Sequence, residues 1–576
     1  MIRQQGHKYV WSLPSDEKRA LIEKLSLSYS LSFPVVQLLV NRGLVDAEAI
    51  EQFLFTPASS HVFDPSLMKD ACKAVERIER AIRFGEKILI AGDYDVDGIS
   101  AASLMMRLLL PLGARVNFFL PHRIYDGYGL SVKTIQKAAE SGYKVVITVD
   151  NGITAFAPAE EAKKRGIDLI ITDHHKPHDR VPDAFAVVDP CQADCLYPFK
   201  YLAGVGVAFK LMTLLYERAS KPMPAESLEL LLLGTIADVV PLRGENRYWV
   251  RKGLQHVNEV ESPAFRALKR NARFSKTLSA MDIGFMLAPQ LNALGRLEDS
   301  RAGVKFLIGE DEQETDEIGM RLHTLNQARK GIERSVVQDV QEEIASGRID
   351  KNKEFVFMAC RATWSPGVIG LAAARIVSEF GRPVFLFHES GDVLKGSCRS
   401  IPGINIFNLL QEAKDMILQF GGHAAAAGLS VHKSRFPELK EHLERRLHEL
   451  LTLDDLKQKI VCDAELTLPE TNGKLLQDLA YLEPFGSGNE RPYFYLKNVS
   501  VLGSPQLLKD EHVRCQIFAD GVIKPVIFFG RPDLFDVLSS AGNDPIDLVV
   551  NVTENYWEGM RRIEFHGVDV ARTVGE

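Results

Sequence analysis

From about residue 80 onward, short apolar runs that end in acidic or glycine residues alternate with amphipathic stretches. Lys87-Ile-Leu-Ile-Ala91, Val116-Asn-Phe-Phe-Leu120, Val145-Val-Ile-Thr-Val149 and Leu169-Ile-Ile-Thr172 are too short for helices and largely apolar, as strands buried on both faces are. Helical spacing fills the gaps at 99–112, 131–141 and 157–165. Strands alternating with helices predict an α/β fold, a parallel sheet with helices on both faces. Such sheets bind ligands outside the carboxyl ends of their strands.

Elsewhere the pattern differs. Residues 1–80 predict a helical segment packed on the core, with Leu21, Leu25, Val35, Leu38 and Leu39 near helical spacing. The α/β region runs over 81–310. Residues 311–346 predict one long amphipathic helix inside a connecting segment, 311–349; Ile318, Leu322, Leu325, Ile332, Val340 and Ile344 keep one face apolar. A second α/β unit, 350–455, opens at Phe355-Val-Phe-Met-Ala359. From 456 to 576 the segments alternate and turn residues separate them, which predicts a small β-barrel.

Carboxylates stand where the first sheet would bind a ligand. Asp93-Tyr-Asp-Val-Asp-Gly98 follows the first run, Asp150 the third, and Asp173-His-His175 the fourth. In extended chain, residues two apart share a side, so Asp93, Asp95 and Asp97 can aim at one point. Converging like charges repel unless a divalent cation neutralises them, and hard cations prefer oxygen ligands. An exposed acidic loop would satisfy that hexapeptide alone. Imidazole beside carboxylate tilts the preference from Mg²⁺ toward Mn²⁺. Asp238 sits in an otherwise apolar run, Gly234-Thr-Ile-Ala-Asp-Val-Val-Pro-Leu242, where a carboxylate is costly unless paired, capping or metal-bound. Together these groups suffice for two cations about 3.5–4 Å apart, the spacing that clamps a phosphate.

Composition changes this picture little. Apolar residues make up 46% and charged residues 25% of 576, and the length suggests about three or four domains. No long apolar run or signal-like N-terminus appears, so the expectation is a cytoplasmic protein with no membrane contact. The seven cysteines are scattered, which predicts reduced thiols rather than disulfides or a zinc site. A net charge of −7 is unlike that of many nucleic-acid binders, although a basic groove can sit on an acidic chain.

The ordered set DYDVDG (93–98), VDNG (149–152), DHH (173–175) and IADVVPL (236–242) resembles the DHH phosphoesterase superfamily. GSCRS (396–400) and GGHAAAAG (421–428) resemble that family's DHHA1-type substrate-binding domain, and LEPFGSGN (482–489) resembles the lead-in to an OB-fold. The resemblance implies a 5′→3′ exonuclease for single-stranded DNA, with two divalent cations, acting in repair and recombination. It implies Asp95, Asp97, Asp150, His174 and Asp238 as metal ligands, Asp93 beside them, and Asp173 and His175 as supporting or phosphate-facing groups. It assigns Arg296, with Asn292 in the same motif, to the scissile phosphate. It places Ser397, Arg399 and His423 at a terminal-phosphate pocket, where Gly421 and Gly422 allow close approach, and Arg123 beyond a strand end against the strand's backbone. Phe494, Tyr495, Phe518, Phe528 and Phe529 are candidates for base stacking or for barrel core. A monomer that works with single-strand-binding protein and a RecQ-type helicase is the corresponding expectation. A short-oligonucleotide hydrolase or phosphatase and a non-catalytic replication scaffold are the alternatives; the OB-like module argues against the first, and the intact ligand set against the second.

Overall fold

The computed structural model describes residues 2–573 apart from 56–59, 61, 124, 310, 543 and 558–559. By internal contacts the chain forms two compact units: residues 58–443 with 484–489, and residues 1–57 with 444–483 and 490–576.

The larger unit holds two sheets. In the first, β1 (Lys87–Ala91), β2 (Arg115–Phe119), β3 (Tyr143–Val149), β4 (Asp168–Thr172) and β5 (Ala186–Val188) are all parallel, in the order β2-β1-β3-β4-β5. β3 and β4 are buried on both faces, which explains their unbroken apolar runs. Helices α1 (Val96–Leu109), α2 (Gly204–Arg218) and α3 (Ser227–Ala237) pack together beside this sheet in one large core. Further along, α4 (Ala288–Leu297) lies on the 34-residue α5 (Glu312–Ala345).

In the second sheet, β6 (Phe357–Arg361), β7 (Val384–Ser390), β8 (Val393–Arg399), β9 (Gln419–Gly422) and β10 (Ala426–His432) run in the order β9-β10-β8-β7-β6. Its register sets Ser397 opposite Gly428, Arg399 opposite Ala426 and Gly421 opposite Gly428, so the two glycine-rich motifs share neighbouring strands. Helix α6 (Ile369–Phe380) covers it, and a Cβ on Gly370 would lie 2.7 Å from Ser397 Oγ and 2.9 Å from Arg399 Nη2.

The smaller unit is built on a barrel. Phe494–Leu508, His512–Ala519, Val522–Phe528, Met560–Arg572 and Ile546–Trp557 pair in succession, and the first also pairs with the last, which closes five strands. Its N-terminal part departs from the helical expectation. Arg3–Gln5 and Val10–Ser12 form an antiparallel ribbon, and Lys459–Val461 joins it in parallel. Side chains of the barrel, distant in sequence, anchor the ribbon: Asp547 accepts Gln4 Nε2 (2.8 Å), and Asp569 does more. Buried Asp569 accepts the amides of Lys8 (3.1 Å) and Tyr9 (3.0 Å), Trp11 Nε1 (3.0 Å) and Arg531 Nη2 (3.4 Å). α-Helices follow from residue 19. Phe494, Tyr495 and Phe528 are buried in the barrel, so they cannot stack on bases; Phe518 (40% exposed) and Phe529 (53%) remain accessible. All seven cysteines are free thiols. Among the described residues no helix is long and apolar enough to cross a membrane.

Candidate active site

The carboxyl ends of β1, β3 and β4 converge with the C-terminus of α3. After β1 the chain turns directly into α1: Asp95 caps that helix by accepting the Gly98 amide (3.1 Å). Gly98 is required there, since a Cβ would lie 2.6 Å from the Asp93 backbone. Asp97, in the first turn of α1, accepts the amides of Gly204 (2.7 Å) and Val205 (2.9 Å) at the start of α2, so a helix N-terminus faces its charge. Val96 is buried in the core, away from these carboxylates.

Asp150 follows β3 with φ +61°, and Val239, next to Asp238, also has φ +61°. Left-handed backbone is tolerated by Asp and is an outlier for a β-branched residue. Strain of this kind, on the order of 1–3 kcal/mol each, gathers at functional sites. A Cβ on Gly204 would lie 2.5 Å from Asp150 Cβ, and one on Gly234 would lie 2.7 Å from Asp97 Oδ1, so both helices approach the carboxylates closely.

His174 Nε2 lies 3.1 Å from Asp150 Oδ1 and 3.6 Å from Asp238 Oδ2. Asp173 is used differently. Its oxygens accept the amides of Ile153 (2.9 Å), His174 (2.8 Å) and His175 (3.2 Å) and pair with His175 Nδ1 (2.7 Å), which holds the whole turn.

The electrostatics ask for positive charge. Burial, and then the neighbouring Asp95, push Asp97 up to about 7. Burial with Asp97 and Asp95 pushes Asp238 up to about 9, and burial also lifts Asp93 and Asp150 well above the carboxylate range. His174 is pushed down to about 4, by burial and by His175. For His175 burial opposes the charge, but the bond to Asp173 outweighs it and raises the imidazole to about 9. Asp93 Oδ1, Asp150 Oδ1 and His174 Nε2 are buried with no hydrogen-bond partner. Candidate ligand atoms of Asp93, Asp95 and Asp150 lie within 4.8 Å of one another, as do those of Asp97, His174 and Asp238, and those of Asp150, Asp173, His174 and His175. Oxygen-rich sets sharing Asp150 and His174, with unpartnered atoms facing inward, fit a pair of hard divalent cations.

Arginines stand opposite. Arg296, near the end of α4, donates to the Gly367 carbonyl (3.1 Å), and Asn292 lies one turn earlier on the same face. A Cβ on Gly367 would sit 2.3 Å from the Arg296 carbonyl, so glycine is needed in that loop. Burial, then the positive charges of Arg123, Arg329 and Arg399, lowers Arg296 to about 10. Arg123 lies over the Tyr94 ring (5.0 Å), beside the acidic centre. Arg399 donates to Ser397 Oγ (3.1 Å) and to the Cys398 carbonyl (2.8 Å). His423 is exposed, its ring nearly parallel to that of His175 at 6.5 Å, and Gly422 before it has φ +146°. Gly421 is paired in β9. The structure thus brings the motifs of both sheets to one place.

Sequence reasoning missed three participants. The Tyr128 ring stands between those of Tyr94 and His175. Asp189, just after β5, is buried, and burial raises it to about 8. Arg329 is buried on α5, bonded to Asn326 and Glu333. It falls seven residues after Leu322 and seven before Val336, so an arginine interrupts the apolar face; that was a readable signal.

An all-parallel sheet with acidic strand ends, facing a second sheet with phosphate-suited glycines and arginines, defines a DHH-type protein. Family models agree: the N-terminal domain of the DHH family matches residues 87–235, the DHHA1 domain 352–449 and the RecJ OB domain 462–569. The single-stranded-DNA-specific exonuclease RecJ of Bacillus subtilis is 34% identical over 565 residues, covering 96% of this chain and 70% of that one. The Escherichia coli protein of the same name is 36% identical over 444 residues, 73% of this chain and 77% of that one. The chain belongs to the RecJ family. The crystal structure of RecJ with Mn²⁺ from Thermus thermophilus matches with a TM-score of 0.83 at 28% identity, covering 98% of this chain and 80% of that one. Its Mg²⁺ counterpart matches with a TM-score of 0.77 at 26% identity, covering 98% and 79%.

Proposed function

We propose that the chain is a metal-dependent exonuclease that hydrolyses single-stranded DNA from its 5′ end and releases mononucleotides. One observation carries this reading: candidate ligand atoms of Asp93, Asp95, Asp97, Asp150, His174 and Asp238 gather in overlapping groups, those of Asp93, Asp150 and His174 buried without a hydrogen-bond partner, with Arg296 near Asp95. Two divalent cations held by these residues, Mn²⁺ preferred or Mg²⁺, would supply Lewis acidity at the scissile phosphate and activate the attacking water.

The protein's own groups do the rest. Arg296 donates its fork to the non-bridging oxygens, a bidentate geometry that suits phosphate. Its tie to Gly367 fixes that fork in advance. His175, oriented by Asp173, presents its other ring nitrogen toward the phosphate. Ser397, Arg399, His423 and the close-approach backbone at Gly421 and Gly422 hold the terminal phosphate, with Arg123 on the near side. A helicase of the RecQ type and single-strand-binding protein would deliver the strand, in the cytoplasm.

The test is cleavage of a 5′-labelled single strand against a blunt duplex, with Mn²⁺ or with chelator. Labelled mononucleotide from the single strand alone, lost on chelation, is expected; activity confined to dinucleotides would favour a small hydrolase instead. Arg399→Ala is expected to cost about tenfold or more in kcat/KM on 5′-phosphorylated strands and little on 5′-hydroxyl strands, since a charge-assisted bond is worth about 1.5–3 kcal/mol. An equal loss on both ends would remove the terminal-phosphate role.

A further inference from the structure

The motif that leads into the barrel has a second place in the molecule. Pro484–Asn489 packs with the catalytic unit, although the chain on either side of it belongs to the smaller one. There it meets the segment that follows Asp238.

Asp238 stands where little favours a carboxylate. It follows the last turn of α3, the end at which a helix repels negative charge. Burial and the neighbouring Asp97 and Asp95 also disfavour its charge. The next residue, Val239, is left-handed at φ +61°, a costly conformation for a β-branched residue. Its side chain is exposed, so its own packing does not secure the turn. A hold from outside α3 is needed.

The loop supplies one. The Leu242 amide donates to the Ser487 carbonyl (2.7 Å). A Cβ on Gly486 would lie 2.6 Å from Leu242 Cδ1. One on Gly488, itself left-handed at φ +68°, would lie 3.1 Å from Pro241 Cβ and 3.0 Å from Arg243 Nε. Both glycines therefore let the loop close tightly on residues 241–243. The loop is also tied to itself. The Gly486 amide donates to the Asn489 carbonyl (2.9 Å), the Asn489 amide donates to the Gly486 carbonyl (3.0 Å), and the buried Asn489 side chain donates to the Pro484 carbonyl (2.9 Å). Leu242 stands four residues after Asp238. Between them, Val239 is committed to its left-handed turn and Pro241 to the fixed φ of its ring, so little slack separates the clamp from the carboxylate.

We propose that the loop Pro484–Asn489 is a positioning element for Asp238: clamped on residues 241–243, it holds the turn at Val239 and so aims the carboxylate at Asp97 and His174, with which Asp238 forms one candidate ligand set. The assignment rests on the two-cation reading above. The set of Asp93, Asp95 and Asp150 does not include Asp238, so the loop acts on one cation and not on both.

The test is Mn²⁺ binding by the Gly486→Ala protein, read from the electron paramagnetic resonance of the free ion. One of the two ions should bind about tenfold or more weaker than in wild type, the usual cost of losing support behind a metal ligand, and the other within about twofold. Hydrolysis of bis(p-nitrophenyl) phosphate should fall at low Mn²⁺ and return to within about twofold of wild type as Mn²⁺ is raised, by mass action. In an Asp238→Asn background the same change should weaken that ion by less than about twofold further, because the loop acts through the carboxylate already removed. Wild-type binding of both ions, an equal weakening of both, or an undiminished further loss on top of Asp238→Asn would overturn the role. If Gly486→Ala does not fold, Gly488→Ala carries the same comparison, since its methyl meets Pro241 and the movable Arg243 side chain less closely. A wild-type protein that binds no Mn²⁺ would sink the two-cation reading itself, and the loop's role with it.

Discussion

Asp150→Asn is expected to lower turnover on single-stranded DNA by about 10³-fold or more while leaving strand affinity within about twofold. Outer partners of metal ligands alone cost about 10–100-fold when removed, and Asp150 stands among the direct candidates. Its Oδ1 is buried, makes no hydrogen bond, and faces the Nε2 of His174, another candidate ligand, at 3.1 Å. Asparagine is the cleaner substitution than alanine, because residue 150 has φ +61° and Asn tolerates left-handed backbone. Asp150→Ala should show the same loss of turnover, with some stability lost as well. Adding Mn²⁺ should raise the melting temperature of the wild-type protein and raise that of Asp150→Asn much less, because the cation binds the folded state alone. Turnover near the wild-type level in Asp150→Asn would refute the two-ion assignment.

Asp569→Ala is expected to destabilise the smaller unit by about 3–5 kcal/mol, the usual cost of breaking a buried charged network. One fully buried carboxylate there satisfies two backbone amides, the buried Trp11 indole and Arg531. Hydrogen exchange at the amides of Lys8 and Tyr9 reads the loss directly and should accelerate about 10²-fold or more, the equivalent of that free energy. Unchanged protection would show that the ribbon is held by its strand pairing alone. Hydrolysis of a chromogenic diester, a property of the other unit, provides the control for global unfolding.

Where local pattern and burial coincide, the fold was legible. β1, β3 and β4 read as strands because both faces are covered and nearly every position is apolar, and the acidic residues after them lie on the strand ends as parallel topology requires. The first twelve residues were not legible, because Arg3–Gln5 and Val10–Ser12 are too short and mixed to show a period. Their strand state is imposed by Lys459–Val461 and Asp569, more than 400 positions away. The barrel aromatics were ambiguous for a related reason. Alternation alone does not say which face of a strand is inside, and only closure of the sheet buried Phe494 and Phe528 and left Phe529 outside. In the site, the carboxylates were readable from their motifs. Tyr128 and Asp189 were not, because single residues after a turn or strand carry no pattern, whereas Arg329 was readable as a break in an apolar stripe.

The ribbon takes its third strand from beyond residue 458, so a segment translated before the catalytic unit must wait for one translated after it. During synthesis the catalytic unit gathers nearly all of its own partners and can fold as it leaves the ribosome, while the ribbon still waits for its third strand and for Asp569. A ribosome that stalls after about residue 490 would release a chain whose nuclease core is assembled but whose ribbon lacks the barrel strands and Asp569 that anchor it, and those flanking segments are where proteases would first cut.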